Sequence, residues 1–107
     1  MIKMSRIEIV RGDRNFYLEF TILDADGNAV DLTNATPKLK WKNYSDGSVN
    51  WIIGEVVNAI EGTCRFLVQD EFLGVTGEFK AEIEITYSDG KIITAPNLCI
   101  KVIPDLA

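Results

Sequence analysis

Gly77-Glu78-Phe79-Lys80-Ala81-Glu82-Ile83-Glu84-Ile85-Thr86-Tyr87 alternates polar and apolar side chains from Glu78 onward. Phe79, Ala81, Ile83, Ile85 and Tyr87 fall on one face, and Glu78, Lys80, Glu82, Glu84 and Thr86 on the other. A period of two sustained over this length is the pattern of a strand with one side on a core and one in water, and a helix would scatter it. Ser88-Asp89-Gly90 then turns the chain, and Lys91 to Thr94 is expected to pair back.

The rest of the chain repeats this rhythm in shorter runs. Ile7 and Ile9 alternate with Arg6 and Glu8 up to Arg11-Gly12-Asp13, where a turn is the commoner use of the tripeptide. From about Asn15 to Leu23, Phe16, Leu18, Phe20 and Ile22 face one way and Tyr17, Glu19 and Thr21 the other. Asp24-Ala25-Asp26-Gly27-Asn28 supplies the positive φ of a tight turn, and a short strand is expected from Ala29 to Leu32. Thr36 to Tyr44 puts Leu39 and Trp41 inward and Lys38, Lys40 and Lys42 outward, with Pro37 near the start, where its missing N–H is tolerated. After Ser45-Asp46-Gly47-Ser48, Val49, Trp51 and Ile53 carry the alternation to Gly54, and Glu55 to Ile60 makes a further strand. Cys64, Phe66 and Val68 share a face opposed by Arg65 and Gln69, and Leu67 falls on that polar side without an obvious apolar partner. Asp70 to Gly74 has the capping aspartate and closing glycine of one helical turn. Asn97 to Ile103 closes the series with Leu98, Ile100 and Val102 inward. Short strands broken by Gly, Asp and Asn predict an all-β antiparallel sandwich or barrel of about seven to nine strands. Residues 1–107 are expected to form a single domain.

Composition removes whole classes of function. The 107 residues include no histidine, so Ser-His-Asp and Cys-His nucleophile systems and histidine-containing zinc sites are absent. A formal net charge of −5 argues against nucleic acid and anionic membranes as partners, since both demand clustered lysine and arginine. Lys3, Arg6 and Glu8 interrupt the apolar character of the N-terminus, and no stretch approaches the roughly 20 apolar residues of a membrane span. Synthesis and folding in a cytoplasm are therefore expected. Strand parity sends Cys64 inward and Cys99 outward, which predicts two free thiols rather than a disulfide.

Few residues are candidates for chemistry. Asp24, Asp26 and Asn28 place oxygens at alternate positions, as the first half of a calcium loop does. The twelfth residue of that loop should be glutamate and here is Ala35, so a hairpin turn is the preferred reading and no metal or other cofactor is expected. Glu82 and Glu84, two residues apart on an alternating strand, belong to a solvated face rather than to an acid–base dyad. The sequence offers no nucleophile or acid pair set in a pocket, and the chain is expected not to be an enzyme. Tyr17 and Trp51 near strand ends, together with Leu67, are the candidate interface residues, although partial burial is the default for such aromatics.

Trp41 in the third long strand and Gly77-Glu78-Phe79-Lys80-Ala81 at the start of the clearest one resemble the immunoglobulin-type sandwich. Phenylalanine stands where antibody domains have the corner tyrosine, and alanine where they have the cysteine. If the two strands are neighbours, Lys38, Lys40 and Lys42 lie across from Glu78, Glu82 and Glu84. A narrower resemblance covers nearly the whole chain. Gly12-Asp13, Phe16 to Ile22, Asp24-Ala25-Asp26-Gly27, Val30-Asp31-Leu32-Thr33-Asn34-Ala35, Asp46-Gly47, Gly77 to Glu82, Asp89-Gly90 and Pro96 appear in that order. The series is similar to the N-terminal immunoglobulin-like domain of baseplate upper proteins from phages of Gram-positive bacteria. That resemblance implies a structural and assembly module of a phage or prophage tail baseplate, located in the virion, with other baseplate subunits or a second copy as partners. Members usually continue into a receptor-binding or fibre-attachment region, whereas this sequence ends at Ala107, so an excised domain or a short virion protein is expected. A carbohydrate-binding or adhesion accessory domain is the alternative, with exposed aromatics stacking on sugars.

Overall fold

A computed structural model describes residues 5–10, 15–42, 47, 49–69 and 77–104 of the protein. Among them are eight strands: β1 (Ser5–Val10), β2 (Phe16–Thr21), β3 (Ala35–Lys42), β4 (Val49–Ile53), β5 (Glu55–Asn58), β6 (Thr63–Val68), β7 (Gly77–Tyr87) and β8 (Ile92–Ile103). They form a five-stranded sheet in the order β1-β8-β7-β3-β4 and a three-stranded sheet in the order β2-β6-β5. The inward residues of the two sheets meet in one core. Leu18, Cys64, Phe66 and Val68 come from the smaller sheet, and Leu39, Trp41, Ile83, Ile85, Leu98 and Ile100 from the larger. Phe20 and Phe66 pack edge to face with ring centroids 5.8 Å apart. The all-β sandwich expected from the alternation is what the chain forms.

Several details differ from expectation, each for a physical reason. The antiparallel rule fails once: β1 lies parallel to β8, Ser5 opposite Leu98 and Val10 opposite Ile103. Its chain neighbour β2 belongs to the other sheet, so β1 has no hairpin partner there. Ala29 to Leu32 is not a strand, and only Leu23 and Ala29 form an isolated bridge. Glu55 to Ile60 stops at Asn58, where the register with β6 shifts. Lys91 to Thr94 and Asn97 to Ile103 merge into the single strand β8. The pairing runs from Ala81↔Leu98 to Ile83↔Ala95, so β8 carries one extra residue there, and the stretch includes Pro96, a residue that bulges accommodate. The expected helical turn at Asp70 to Gly74, together with Arg11-Gly12-Asp13 and Tyr44, lies outside the described residues.

The Val-Asp-Leu-Thr-x-Ala segment ties the two sheets together. Leu32 is buried in the core, its N–H donates to the Ala59 carbonyl at 2.9 Å, and its carbonyl accepts the Ala35 N–H at 3.0 Å. Asp31 Oδ1 accepts both the Thr33 N–H at 2.9 Å and the Thr33 hydroxyl at 2.6 Å. Those two donors hold the Asp31 carboxyl below its ordinary pKa, the hydroxyl contributing more. Asn34 takes the left-handed conformation at φ 60°, and its carbonyl accepts the Ser88 N–H at 3.0 Å. The Tyr87 hydroxyl donates to the Asp31 carbonyl at 2.7 Å, which joins the end of β7 to the same loop.

β3 and β7 are neighbours, but their charges do not match one for one. The register sets Lys38 opposite Glu84 and Lys40 opposite Glu82, yet Lys42 opposite Lys80, while Glu78 faces Lys101 of β8. Of the three glutamates expected across from the β3 lysines, Glu82 and Glu84 are there, whereas Glu78 lies two residues beyond the last β3–β7 pair and faces β8. Lys40 Nζ lies 2.8 Å from Glu84 Oε2 and 4.0 Å from Glu82 Oε1, so a single ammonium serves both carboxylates.

Candidate interaction surface

β4 is the outermost strand of the larger sheet and turns its apolar side to solvent. Strand parity forces this outcome: Ile52 packs on the core, so Val49, Trp51 and Ile53 must point away from it. They are 62%, 55% and 52% exposed. Their backbone groups point outward too. The Gly54 N–H donates to the Pro37 carbonyl at 2.9 Å, which makes that pair a hydrogen-bonded one, and the alternation of an antiparallel ladder then assigns the next bonded pairs to Leu39–Ile52 and Trp41–Asn50. The N–H and C=O groups of Val49, Trp51 and Ile53 consequently face away from β3.

Gly54 carries the chain from the larger sheet to the smaller. A Cβ there would stand 2.5 Å from both the Arg65 carbonyl oxygen and the Phe66 ring, so only glycine lets β4 bend into β5 at this distance. Beyond the bend, the outer face of the smaller sheet holds Tyr17 opposite Leu67 and Arg65 opposite both Glu19 and Glu55. The Arg65 guanidinium lies 4.1 Å from the Tyr17 ring centroid and its Nε donates to Glu55 Oε1. A depression of about 250 Å³ is lined by Tyr17, Ile53, Gly54, Glu55, Arg65 and Leu67. Ile53 thus joins the Val49–Trp51 stripe to the Tyr17–Leu67 pair. The three interface candidates come from two sheets and three strands, and Ile53 links them, two residues after Trp51 on β4 and in one depression with Tyr17 and Leu67. Tyr17 and Trp51 each keep about half of their surface exposed and are partly buried, and Leu67 finds Tyr17 as its cross-strand partner.

The other candidates are occupied differently. Asp24 Oδ1 accepts the N–H groups of Asp26 and Asn28, both at 2.9 Å, and the Asp24 N–H donates to the Asn28 carbonyl, so this carboxylate organises its own turn. Among the described residues no group of three or more acidic or cysteine side chains is placed to hold a metal. Glu84 has its pKa lowered, chiefly by the Lys40 hydrogen bond, which is the opposite of what a general acid requires. Cys64 is buried and free, and desolvation, with a smaller push from Glu19, raises its thiol to about 12, which leaves it unreactive. Cys99 is free and half-buried.

Residues 2–107 match the family model of the BppU N-terminal domain. The chain belongs to this family. BppU is the baseplate upper protein, so the chain is a phage baseplate structural protein with its place in the virion tail. No curated protein matches the chain significantly. In this BppU N-terminal domain, sequence reasoning missed Val49 and Ile53, although both share the parity of Trp51 and flank it. It also missed Lys42 and Lys80, whose juxtaposition appears only once the register of β3 and β7 is known.

Proposed function

We propose that residues 1–107 act as one non-enzymatic assembly domain of a phage or prophage tail baseplate, made in the host cytoplasm and holding neighbouring virion subunits through surface contacts. The observation that carries this reading is the row of exposed apolar side chains Val49, Trp51 and Ile53 on β4, whose last member shares a depression with the exposed Tyr17 and Leu67. Contiguous apolar surface on a small domain is the usual mark of an interaction site. The proposed immunoglobulin-like identity is supported by strand order, since β2, β6 and β5 on one sheet against β3, β7 and β8 on the other follow the B-E-D and C-F-G grouping. The carbohydrate-binding alternative requires open ring faces, whereas Lys38 Nζ sits 4.7 Å over Trp51 and Arg65 sits over Tyr17. Light scattering and co-purification test the proposal. The domain is expected to bind another baseplate subunit of the same phage, and a strictly monomeric chain that binds none would overturn the assembly role. Glycan-array binding lost in Trp51→Ala would favour the alternative.

A further inference from the structure

Among the described residues four strands lie at the sheet edges, and the sequences of three of them contain charges or an irregularity of the kind that discourages pairing with another chain. β1 contains Arg6 and Glu8, β2 contains Glu19, and β5 contains Glu55 and a register shift. β4, Val49-Asn50-Trp51-Ile52-Ile53, has no charge, no proline and no bulge. The same three residues that expose apolar side chains also aim their hydrogen-bonding groups outward, which is the arrangement that accepts an added strand.

Beside this edge stands an unusual pair of charges. Lys42 and Lys80 are directly opposite each other, and like charges in that position repel. Neither makes an ion pair among the described residues: of the two glutamates flanking Lys80 on β7, Glu82 lies 4.0 Å from Lys40 and Glu78 is opposite Lys101 of β8. Lys40, Lys42, Lys80, Val49 and Glu82 line one cleft of about 370 Å³, three ammonium groups to one carboxylate. In a protein of net charge −5, this is a local positive site at the margin of an apolar stripe.

We propose that the free edge of β4 receives an extended segment of another virion protein, which adds a sixth strand, covers Val49, Trp51 and Ile53, and sets a carboxylate against Lys42 with Lys80 behind it. The partner's chemistry is thus an apolar strand bearing an acidic residue near one end. A second copy pairing through its own β4 is a poorer fit, because it would bring Val49, Trp51, Ile53 and further lysines of β3 but no carboxylate. This inference rests on the assembly role and names the surface that performs it.

The test measures binding of the intact domain to each of the other baseplate subunits encoded by the same phage, one at a time, by interferometry. Trp51→Lys and Ile53→Lys place charges on the edge, Trp51→Pro removes an N–H that β3 does not use, and Lys42→Glu reverses the local charge. Each variant is first checked for cooperative unfolding in urea, and those that fold are used. The expected result is one subunit bound by the wild type, with affinity reduced about tenfold or more in the edge variants and in Lys42→Glu. Carbodiimide coupling should join the Lys42 amine to a carboxylate of that subunit, and the Trp51 and Ile53 amides should exchange more slowly in the complex. A subunit that binds wild type and variants equally would overturn this surface while leaving the assembly role intact. Absence of any binding subunit would overturn both. Self-association abolished by the same variants would overturn the foreign strand in favour of a second copy.

Discussion

Asp31-Leu32-Thr33-Asn34-Ala35 and Val49-Asn50-Trp51-Ile52-Ile53 are stretches of equal length that spend their chemistry in opposite directions. The first turns nearly every polar group inward on the protein: Asp31 caps Thr33, Leu32 bonds Ala59 and Ala35, Asn34 accepts Ser88, and Tyr87 reaches back to Asp31. The second satisfies β3 on one side only and leaves a row of backbone groups and three large apolar side chains facing out. A segment that consumes its own hydrogen bonds holds the sandwich together. A segment that leaves them open, with apolar side chains beside them, is equipped to hold something else.

The comparison breaks most readily at Leu32. Its side chain is 1% exposed and sits at the centre of that hydrogen-bonded loop, so Leu32→Ala removes core contacts and leaves a cavity between the sheets. Urea unfolding should show a loss of about 3 kcal/mol, within the usual range for buried leucines. A loss below about 1 kcal/mol would mean that the loop is not a structural tie. Asn34 is the next test, because its φ of 60° suits asparagine or glycine and penalises a residue with an ordinary Cβ. Asn34→Val should cost about 2 kcal/mol and Asn34→Gly well under half of that.

Protonation sharpens the same contrast. Asp31 has a folded-state pKa below its ordinary value, chiefly through the Thr33 hydroxyl, and Glu84 is lowered chiefly by Lys40. A depressed carboxylate pKa adds stability above the unfolded-state value, and that stability is lost as pH falls through the folded-state value. The domain should therefore weaken on acidification below the ordinary carboxylate range, and Thr33→Val should flatten part of that dependence. Chemical unfolding repeated across that acid range would show it. An unchanged slope in Thr33→Val would remove Asp31 from the set of groups that stabilise the fold. Val49→Thr on the exposed side of β4, which adds no charge, should leave the slope as it is.

The strands and the core were legible because alternation reports burial directly. Phe79, Ala81, Ile83 and Ile85, read as inward, are buried, and so are Cys64, Phe66 and Val68. Turn chemistry was equally plain at Asp24 to Asn28, where the residue types announce the hydrogen bonds they make. Pairing was not legible. The parallel contact of β1 with β8, the bulge near Pro96 and the match of Lys42 with Lys80 all depend on register between distant segments, which a linear pattern does not encode. The interaction side shows the same limit in another form. Val49, Trp51 and Ile53 alternate as a core-facing row would, and only the burial of Ile52 against the core reveals that the apolar row is the outer one. Tyr17 and Leu67 were found individually, but their contact requires the β2–β6 register.

The smallest expected effect is the most discriminating. Val49 is 62% exposed at the free edge, and Val49→Thr keeps the branched shape while replacing a methyl group by a hydroxyl that water can solvate. Buried in a core, that exchange would strand a polar group and cost about 1–3 kcal/mol. At the margin of β4 it should change the stability of the isolated domain by less than about 0.5 kcal/mol. The threonine nevertheless alters the surface that a docked strand would cover, so affinity for the bound baseplate subunit should fall while the urea midpoint stays in place. A clear drop in stability would instead mean that the domain covers this face by itself, and the contrast between the self-bonded Asp31-to-Ala35 loop and the open edge of β4 would collapse.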